Sequence, residues 1–234
     1  LRSTSCWKKL AGTGLTWGLY DFIYYGTAFN LPELFSRVLG SSNSDDTTHD
    51  LFTDAWHNAL IASMGLPGVI LAIRMMEPMG GPSNLQLWGF VAIGMACLGM
   101  IWCVSTLEEE EAVVDANNHT RPIQVWLGLA SCSFLIFTLN WGCNVSSYVL
   151  PSEVFPSSVR STFHGWSAGM GKCGAALGSY FFTKLNATSV AWTFQVCSGC
   201  CLLGVLMTYY CLIHQVVRRH QDEAQQQQQQ QHPV

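Results

Sequence analysis

Long apolar stretches alternate with short polar ones along this 234-residue chain. A helix rises about 1.5 Å per residue and the hydrocarbon core of a bilayer is about 30 Å thick, so about 20 residues cross it. Charged residues are almost absent from the apolar stretches, which is typical of membrane-spanning helices. We predict an all-α membrane protein with six spans, near 10–38, 55–76, 85–106, 122–150, 161–183 and 190–214.

The two ends of the chain differ from this pattern. Residues 218–234 are polar and contain an unbroken glutamine run, Gln225 to Gln231, which has no apolar face to bury. We expect a disordered cytoplasmic tail there, following a six-helix unit over residues 1–217. The chain opens without a methionine, on a basic stretch that leads directly into the first apolar segment, and we interpret it as a fragment.

The composition favours a lipid environment. Hydrophobic residues make up 49% of the chain and charged residues 11%, whereas charged residues are about 25% of an average soluble domain. Nine of the ten cysteines lie inside apolar runs, so we expect small buried residues rather than disulfides. The Cys197 to Cys201 cluster lacks a second pair of ligands for zinc. Nothing in the sequence indicates a metal, a cofactor or a nucleic-acid partner.

Basic residues predict the orientation, because they are enriched in cytoplasmic loops. A cytoplasmic N-terminus also places the acidic stretches Asp45–Asp54 and Glu108–Asp115 outside, together with the glycosylation-type triplet that begins at Asn118. We therefore expect a multi-pass protein, of the plasma membrane, with both termini in the cytoplasm. In this topology Arg2, Lys8, Lys9, Arg74, Arg160, Arg218 and Arg219 lie inside, and Arg37, Arg121 and Lys184 lie outside.

Two opposite charges lie within the predicted spans. Asp21 is eleven residues into the first span and Lys172 eleven residues into the fifth, so both lie roughly 16 Å deep. An ionisable group at that depth costs about 2.5–3.5 kcal/mol on insertion scales and needs a partner or a polar cavity. We expect the two side chains to be hidden from bulk water and to face one polar chamber. The alternative is a purely structural ion pair.

Three further side chains surround this pair in the prediction. Trp17, Asp21 and Tyr25 are four residues apart and share one face of a helix. Asn144 lies seven residues before Pro151, at a depth of about 10 Å from the cytoplasmic edge. These residues offer hydrogen bonds to a bound molecule. Packing of the aromatic rings, and an interhelical bond from Asn144, remain alternatives.

Two segments of the sequence resemble a known transporter family. The loop Pro151-Ser-Glu153-Val-Phe-Pro156-Ser-Ser-Val-Arg160 resembles the loop between helices 10 and 11 of sugar-porter-like major facilitators. The stretch that follows, through His164-Gly165-Trp-Ser167-Ala-Gly-Met-Gly171-Lys172, is similar to the phosphate:proton symporters of that superfamily. The segment Asp21-Phe-Ile-Tyr-Tyr25-Gly26 is similar to the same family.

The resemblance implies a fold, a substrate and a site. It implies that the chain is helices 7–12, one half of a major facilitator fold, whose N-terminal six-helix half is missing. It also implies that Trp17, Asp21, Tyr25, Asn144 and Lys172 bind inorganic phosphate. The cytoplasmic loop at 74–84 departs from the family pattern because it lacks the basic cluster that follows the acidic residue. Glu153 and Arg160 remain candidates for a cytoplasmic gate, with a solvated loop pair as the alternative.

Proton-coupled phosphate transport is therefore the leading hypothesis. Lys172 supplies a fixed positive charge, Trp17, Tyr25 and Asn144 donate hydrogen bonds, and Asp21 carries the coupled proton. Burial favours a neutral Asp21, and a nearby ammonium favours an ionised one. Transport of a sugar or an organic ion is an alternative, and a non-transporting phosphate receptor or scaffold is another. Nothing in the sequence supports an enzyme.

Overall fold

A computed structural model describes residues 3–39, 47–111, 121–186 and 190–213. Apart from short turns, these ranges are helical and contain no β-strand, which confirms the all-α prediction. In chain order the helices are α1 (Ser3–Leu39), α2 (Thr47–Met75), α3 (Pro82–Glu111), α4 (Arg121–Asn140), α5 (Cys143–Val154), α6 (Ser157–Asn186) and α7 (Val190–Thr208), and a π-helical turn at Tyr209–Ile213 continues α7.

The helices follow the six predicted stretches in order. Two segments of the described chain are long and apolar enough to cross a bilayer, Pro82–Thr106 and Ala191–Ile213, and a shorter apolar helical segment covers Ser63–Met75. The count of six spans therefore remains a prediction. The tail at 218–234 and the triplet that begins at Asn118 lie outside the described residues.

The stretch predicted as the fourth span is two helices rather than one. α4 ends at Asn140 and α5 begins at Cys143, with a turn at Trp141 and Gly142 between them. Gly142 has a φ of 84°, a left-handed conformation that favours glycine. A Cβ at this position would also lie 2.7 Å from the Gly89 Cα on α3. The break thus depends on glycine for its backbone conformation and for its close contact with α3.

α1 and α6 form the most extensive helix–helix contact of the described chain and run parallel. Glycines on both helices allow the close approach: a Cβ on Gly174 would overlap the backbone of Gly18, and one on Gly178 would overlap the backbone of Phe22. Residue numbers increase in the same direction along both helices from one contact to the next, which shows that the helices are parallel. They run from Thr13 with Ser167, whose hydroxyls are 2.9 Å apart, through Gly18 with Gly174, to Phe22 with Gly178.

An apolar core holds α3 against α7 and extends to Tyr20 and Ile23 of α1. Phe90 and Phe194 are fully buried there, and a Cβ on Gly204 would lie 2.6 Å from the Phe90 ring. Cys97 and Cys197 are buried in the same cluster as free thiols, as predicted, whereas the predicted burial is wrong for Cys173, which is exposed on α6. This core supports the α1–α6 pair because α1 also contacts α7.

Candidate functional site

Trp17 and Asp21 lie together against the backbone of α6. The side chains of Trp17 and Asp21 are 4% and 6% exposed, and the Trp17 side chain donates a hydrogen bond to the Asp21 carboxyl. A Cβ on Gly171 would lie 2.8 Å from Trp17 Nε1 and 2.9 Å from Asp21 Oδ2. Glycine at 171 therefore leaves the space that this indole and this carboxyl fill. The two residues share one face of α1, as the spacing predicted.

Lys172 follows Gly171 and lies beside the same pair. Its Nζ is 5.7 Å from the centroid of the Tyr25 ring, which is a cation–π contact, and its charge interacts with the Asp21 carboxyl. Among the described contacts, Tyr25 rather than the Asp21 carboxylate is the direct neighbour of the ammonium. The sequence therefore correctly predicted that the two charges are near each other, and the expected burial holds for Asp21.

The expected burial of Lys172 is wrong for this chain. Its side chain is exposed, whereas Asp21 one helix away is buried. The reason is that Lys172 sits one residue past Gly171 on α6, so it is turned by about 100° away from the face that packs on α1. The ammonium therefore lies at the edge of the site, between the buried carboxyl and the open side of the α1–α6 pair.

Asn144 approaches from α5, on a different side of α1. The Tyr20 hydroxyl donates to the Leu139 carbonyl at 3.0 Å, and the Trp17 and Tyr148 rings are 4.7 Å apart. Higher numbers on α1 thus meet lower numbers on the α4–α5 segment, so the two run antiparallel. One helical turn separates Asn144 from Tyr148, and one turn separates Asp21 from Trp17. Because the helices are antiparallel, both steps lead the same way, so Asn144 and Asp21 lie at a similar level. The half-buried Asn144 donates to Asn140 Oδ1 at 3.0 Å.

The sequence did not predict two aromatic neighbours of Trp17. The His164 ring is 5.7 Å from the Trp17 ring at 88°, and Tyr148 lies 6.2 Å from His164. Ser152 holds the imidazole through an Oγ to Nδ1 contact of 3.4 Å. The available clue was spacing: Tyr148 is one helical turn from Asn144, and His164 is two turns from Gly171. These rings close the N-terminal side of the Trp17–Asp21 pair.

Glu153 and Arg160 are not brought together as a charge pair in the described structure. Both side chains are exposed, and Arg160 Nε donates instead to the Phe155 carbonyl at 3.2 Å. This contact closes the short connection between α5 and α6. A gating role for the two residues therefore remains a prediction without a direct contact behind it.

The assembled groups suit a small polar anion better than a metal ion. Trp17, Tyr25 and Lys172 are hydrogen-bond donors or cations, and Asp21 is a carboxyl that either donates or accepts according to its proton. Within the described residues, no three histidine, cysteine or acidic side chains are grouped closely enough to hold a metal ion. The fold and this site define an all-helical protein, over the described residues, with charged and polar groups between its helices.

Comparison with known proteins identifies the family. Residues 18–226 match the model of the sugar (and other) transporter family. The chain belongs to this transporter family of the major facilitator superfamily, and so is an integral membrane protein with relatives that are transporters, not enzymes.

The relatives narrow the resemblance further. The chain is 32% identical over 210 residues to "Inorganic phosphate transporter PT2" of Toxoplasma gondii, covering 89% of this chain and 33% of that protein. It is 28% identical over 204 residues to "Probable inorganic phosphate transporter 1-6" of Arabidopsis thaliana, covering 86% and 37%. The chain thus spans about a third of the length of these relatives, both of which are named inorganic phosphate transporters.

Proposed function

We propose that the chain forms the C-terminal six-helix half of a twelve-helix phosphate transporter that couples phosphate to protons by alternating access. The observation that carries the proposal is the placement of Trp17, Asp21 and Lys172 around Gly171. Relatives that are named inorganic phosphate transporters support the choice of substrate. The N-terminal half supplies the other wall of the site, against which the exposed Lys172 closes.

Phosphate binds between α1 and α6 in this proposal. Lys172 neutralises one negative charge of the anion, and the cation–π contact with Tyr25 holds the ammonium in place when no anion is bound. Tyr25 and Asn144 donate hydrogen bonds to phosphate oxygens, and the indole of Trp17 shifts its donation from Asp21 to the anion. Every group named here lies on α1, α5 or α6.

Asp21 couples the proton to the anion. An ionised Asp21 repels a phosphate bound beside Lys172, and a protonated Asp21 does not, so binding of the proton and of the anion favour each other. Because the Asp21 side chain is 6% exposed, this repulsion is weakly screened by water. Release of the proton on the cytoplasmic side then favours release of phosphate on the same side.

The proposed topology has six spans with both termini in the cytoplasm. The two strongly apolar segments, in α3 and α7, support the outermost positions, where helices contact lipid. The less apolar α1 and α6 carry the site residues, as helices that line a polar chamber do. Glu153 and Arg160 lie at the cytoplasmic end of α5 and α6 and form part of the inner gate once the N-terminal half is in place.

An uptake assay tests the proposal. The chain is produced together with the N-terminal half in a host that lacks its own phosphate uptake, and accumulation of radiolabelled phosphate is measured with and without an imposed proton gradient. We expect Asp21→Asn to abolish uphill accumulation, because the residue no longer exchanges a proton, while phosphate exchange at equilibrium persists. Glu77→Gln is the matched control, since Glu77 is an exposed carboxylate in the turn that follows α2.

The other outcomes separate the rival functions. Full uphill uptake by the Asp21→Asn variant would reject the coupling role of Asp21. Phosphate binding without any flux would favour a receptor or scaffold. Uptake of a sugar or an organic ion that phosphate does not inhibit would replace the proposed substrate.

A further inference from the structure

Asn140, which the site described above does not include, is held in one orientation at the end of α4. Its Nδ2 donates to the Ile136 carbonyl at 2.9 Å. A backbone carbonyl only accepts hydrogen bonds, so this contact fixes which end of the amide is nitrogen. The same side chain fills the space over Gly65 of α2, where a Cβ would lie 2.6 Å from Nδ2. Asn140 Oδ1 therefore points away from Ile136.

The fixed orientation of Asn140 sets that of Asn144. Asn144 Nδ2 donates to Asn140 Oδ1 at 3.0 Å, which is the arrangement that an acceptor at Asn140 requires. This bond uses one N–H of Asn144 and leaves its second N–H and its Oδ1. Within the described residues, the Asn144 side chain makes one hydrogen bond, and that bond goes to Asn140. Asn144 thus keeps a permanent acceptor as well as a donor.

The face of α5 that carries Asn144 is the face that meets the site, because Asn144 and Tyr148 are four residues apart. Asn144 is one turn beyond Tyr148, whose ring is 4.7 Å from that of Trp17. Asp21 is one turn beyond Trp17 in the same direction, because α1 and the α4–α5 segment run antiparallel. When Asp21 is protonated for coupling, it becomes a donor. Asn144 Oδ1, in contrast, is an amide oxygen that does not take up a proton, so it remains an acceptor in both states.

A permanent acceptor distinguishes tetrahedral oxyanions by their protons. Phosphate and arsenate at neutral pH carry at least one P–OH or As–OH group that donates to Asn144 Oδ1, whereas sulfate carries none. With sulfate, two acceptors face each other and a partly buried group stays unpaired. Sites that bond a substrate hydroxyl reject analogues lacking it far more strongly than apolar pockets reject a missing methylene.

We propose that Asn140 is a positioning residue that turns the Asn144 amide so that its oxygen faces the bound anion, which makes the site select protonated oxyanions over sulfate. The inference rests on the proposed function, since it concerns the specificity of that same site. It adds a residue outside the site and a physical basis for rejection of sulfate.

Competition binding on the chain purified together with the N-terminal half, in lipid nanodiscs, tests the inference. Phosphate affinity is measured by titration calorimetry, and arsenate and sulfate are then titrated as competitors. We expect arsenate to displace phosphate and sulfate to bind at least about 100-fold more weakly. In Asn140→Ala the Asn144 amide is free to turn and to donate both N–H groups, so the ratio of sulfate to phosphate affinity should rise at least about tenfold.

Two further variants separate orientation from general damage. A protonated aspartic acid in Asn140→Asp reproduces both bonds of Asn140, so this variant should reject sulfate at low pH and lose affinity for all anions as its carboxyl ionises. Thr138→Val is the matched control, because it removes only a bond to the Leu135 carbonyl on the same helix. Its selectivity should equal that of the unmodified protein.

The outcomes distinguish the two proposals. If the unmodified protein binds phosphate but sulfate competes equally well, or if Asn140→Ala leaves the ratio unchanged, the positioning role is overturned and phosphate transport stands. If the folded protein with both halves present binds no phosphate, both are overturned. Should Asn140→Ala fail to fold, Asn140→Asp decides, since sulfate binding by this variant at low pH would contradict the inference.

Discussion

The α1–α6 and α3–α7 pairs both bury a long helical contact, but they do it by different means. Between α1 and α6, glycines bring two backbones together and leave polar groups beside them, as at Gly171 with Trp17 and Asp21. Between α3 and α7, large rings and thiols fill the space, as at Phe90 and Cys197. The α1–α6 interface positions the polar side chains of the candidate site, and the α3–α7 interface contributes mainly to stability.

The comparison explains where a membrane protein tolerates polar groups. Lipid tails give no hydrophobic drive for helix association, so close packing and hydrogen bonds hold helices together. α1 and α6 achieve this with small residues and a hydroxyl contact between Thr13 and Ser167 at 2.9 Å. α3 and α7 achieve it with side-chain volume. Substitutions at the two interfaces should therefore differ in their effects on stability and on phosphate affinity.

The largest effect on stability is expected from Phe90→Ala in the α3–α7 core. Phe90 is fully buried against Gly204, and removing a buried phenyl ring costs about 3–5 kcal/mol of unfolding free energy. Thermal unfolding followed by fluorescence-detected size exclusion measures the loss. The control is Phe134→Ala, because Phe134 on α4 is 53% exposed. Phosphate affinity of the folded fraction should not change, and a change there would contradict the division of roles.

A smaller loss of stability, accompanied by a loss of binding, is expected from Gly174→Ala. The added methyl group overlaps the backbone of Gly18, which cannot move without separating α1 from α6. Overpacking of this kind costs about 1–3 kcal/mol. Separation also moves Lys172 away from Tyr25 and Asp21, so phosphate affinity should fall at least about tenfold.

Gly169→Ala is the matched control for this variant. It places the same methyl group on the same helix, where no atom lies within 4 Å. Its stability should stay within about 0.5 kcal/mol of the unmodified protein. Equal effects of the two substitutions on thermal unfolding and on phosphate binding would show that close approach of α1 and α6 is not what builds the site.

Much of the α1 side of the site follows from the sequence. Four-residue spacing places Trp17, Asp21 and Tyr25 on one face of α1. The equal depth of Asp21 and Lys172 in their apolar stretches correctly predicted that the two charges are close. The all-α class follows equally directly, because apolar runs of about 20 residues are typical of membrane-spanning helices. These features depend on local periodicity, which a single sequence contains.

What the sequence did not predict depends on contacts between distant residues. The break at Gly142 lies inside an apolar run, and the need for glycine there comes from Gly89 on another helix. The exposure of Lys172 depends on which face of α6 meets α1. The contact of His164 with Trp17 joins residues 147 positions apart, so no local pattern contains it.

Phosphate binding by Lys172→Ala tests the central claim most directly. Lys172 is exposed, so its removal should lower the unfolding free energy by no more than about 1 kcal/mol, and Lys184→Ala removes an exposed lysine from the end of the same helix as the control. By calorimetry in nanodiscs, we expect Lys172→Ala to lose phosphate binding and Lys184→Ala to retain it. Unchanged phosphate affinity in Lys172→Ala would contradict the account.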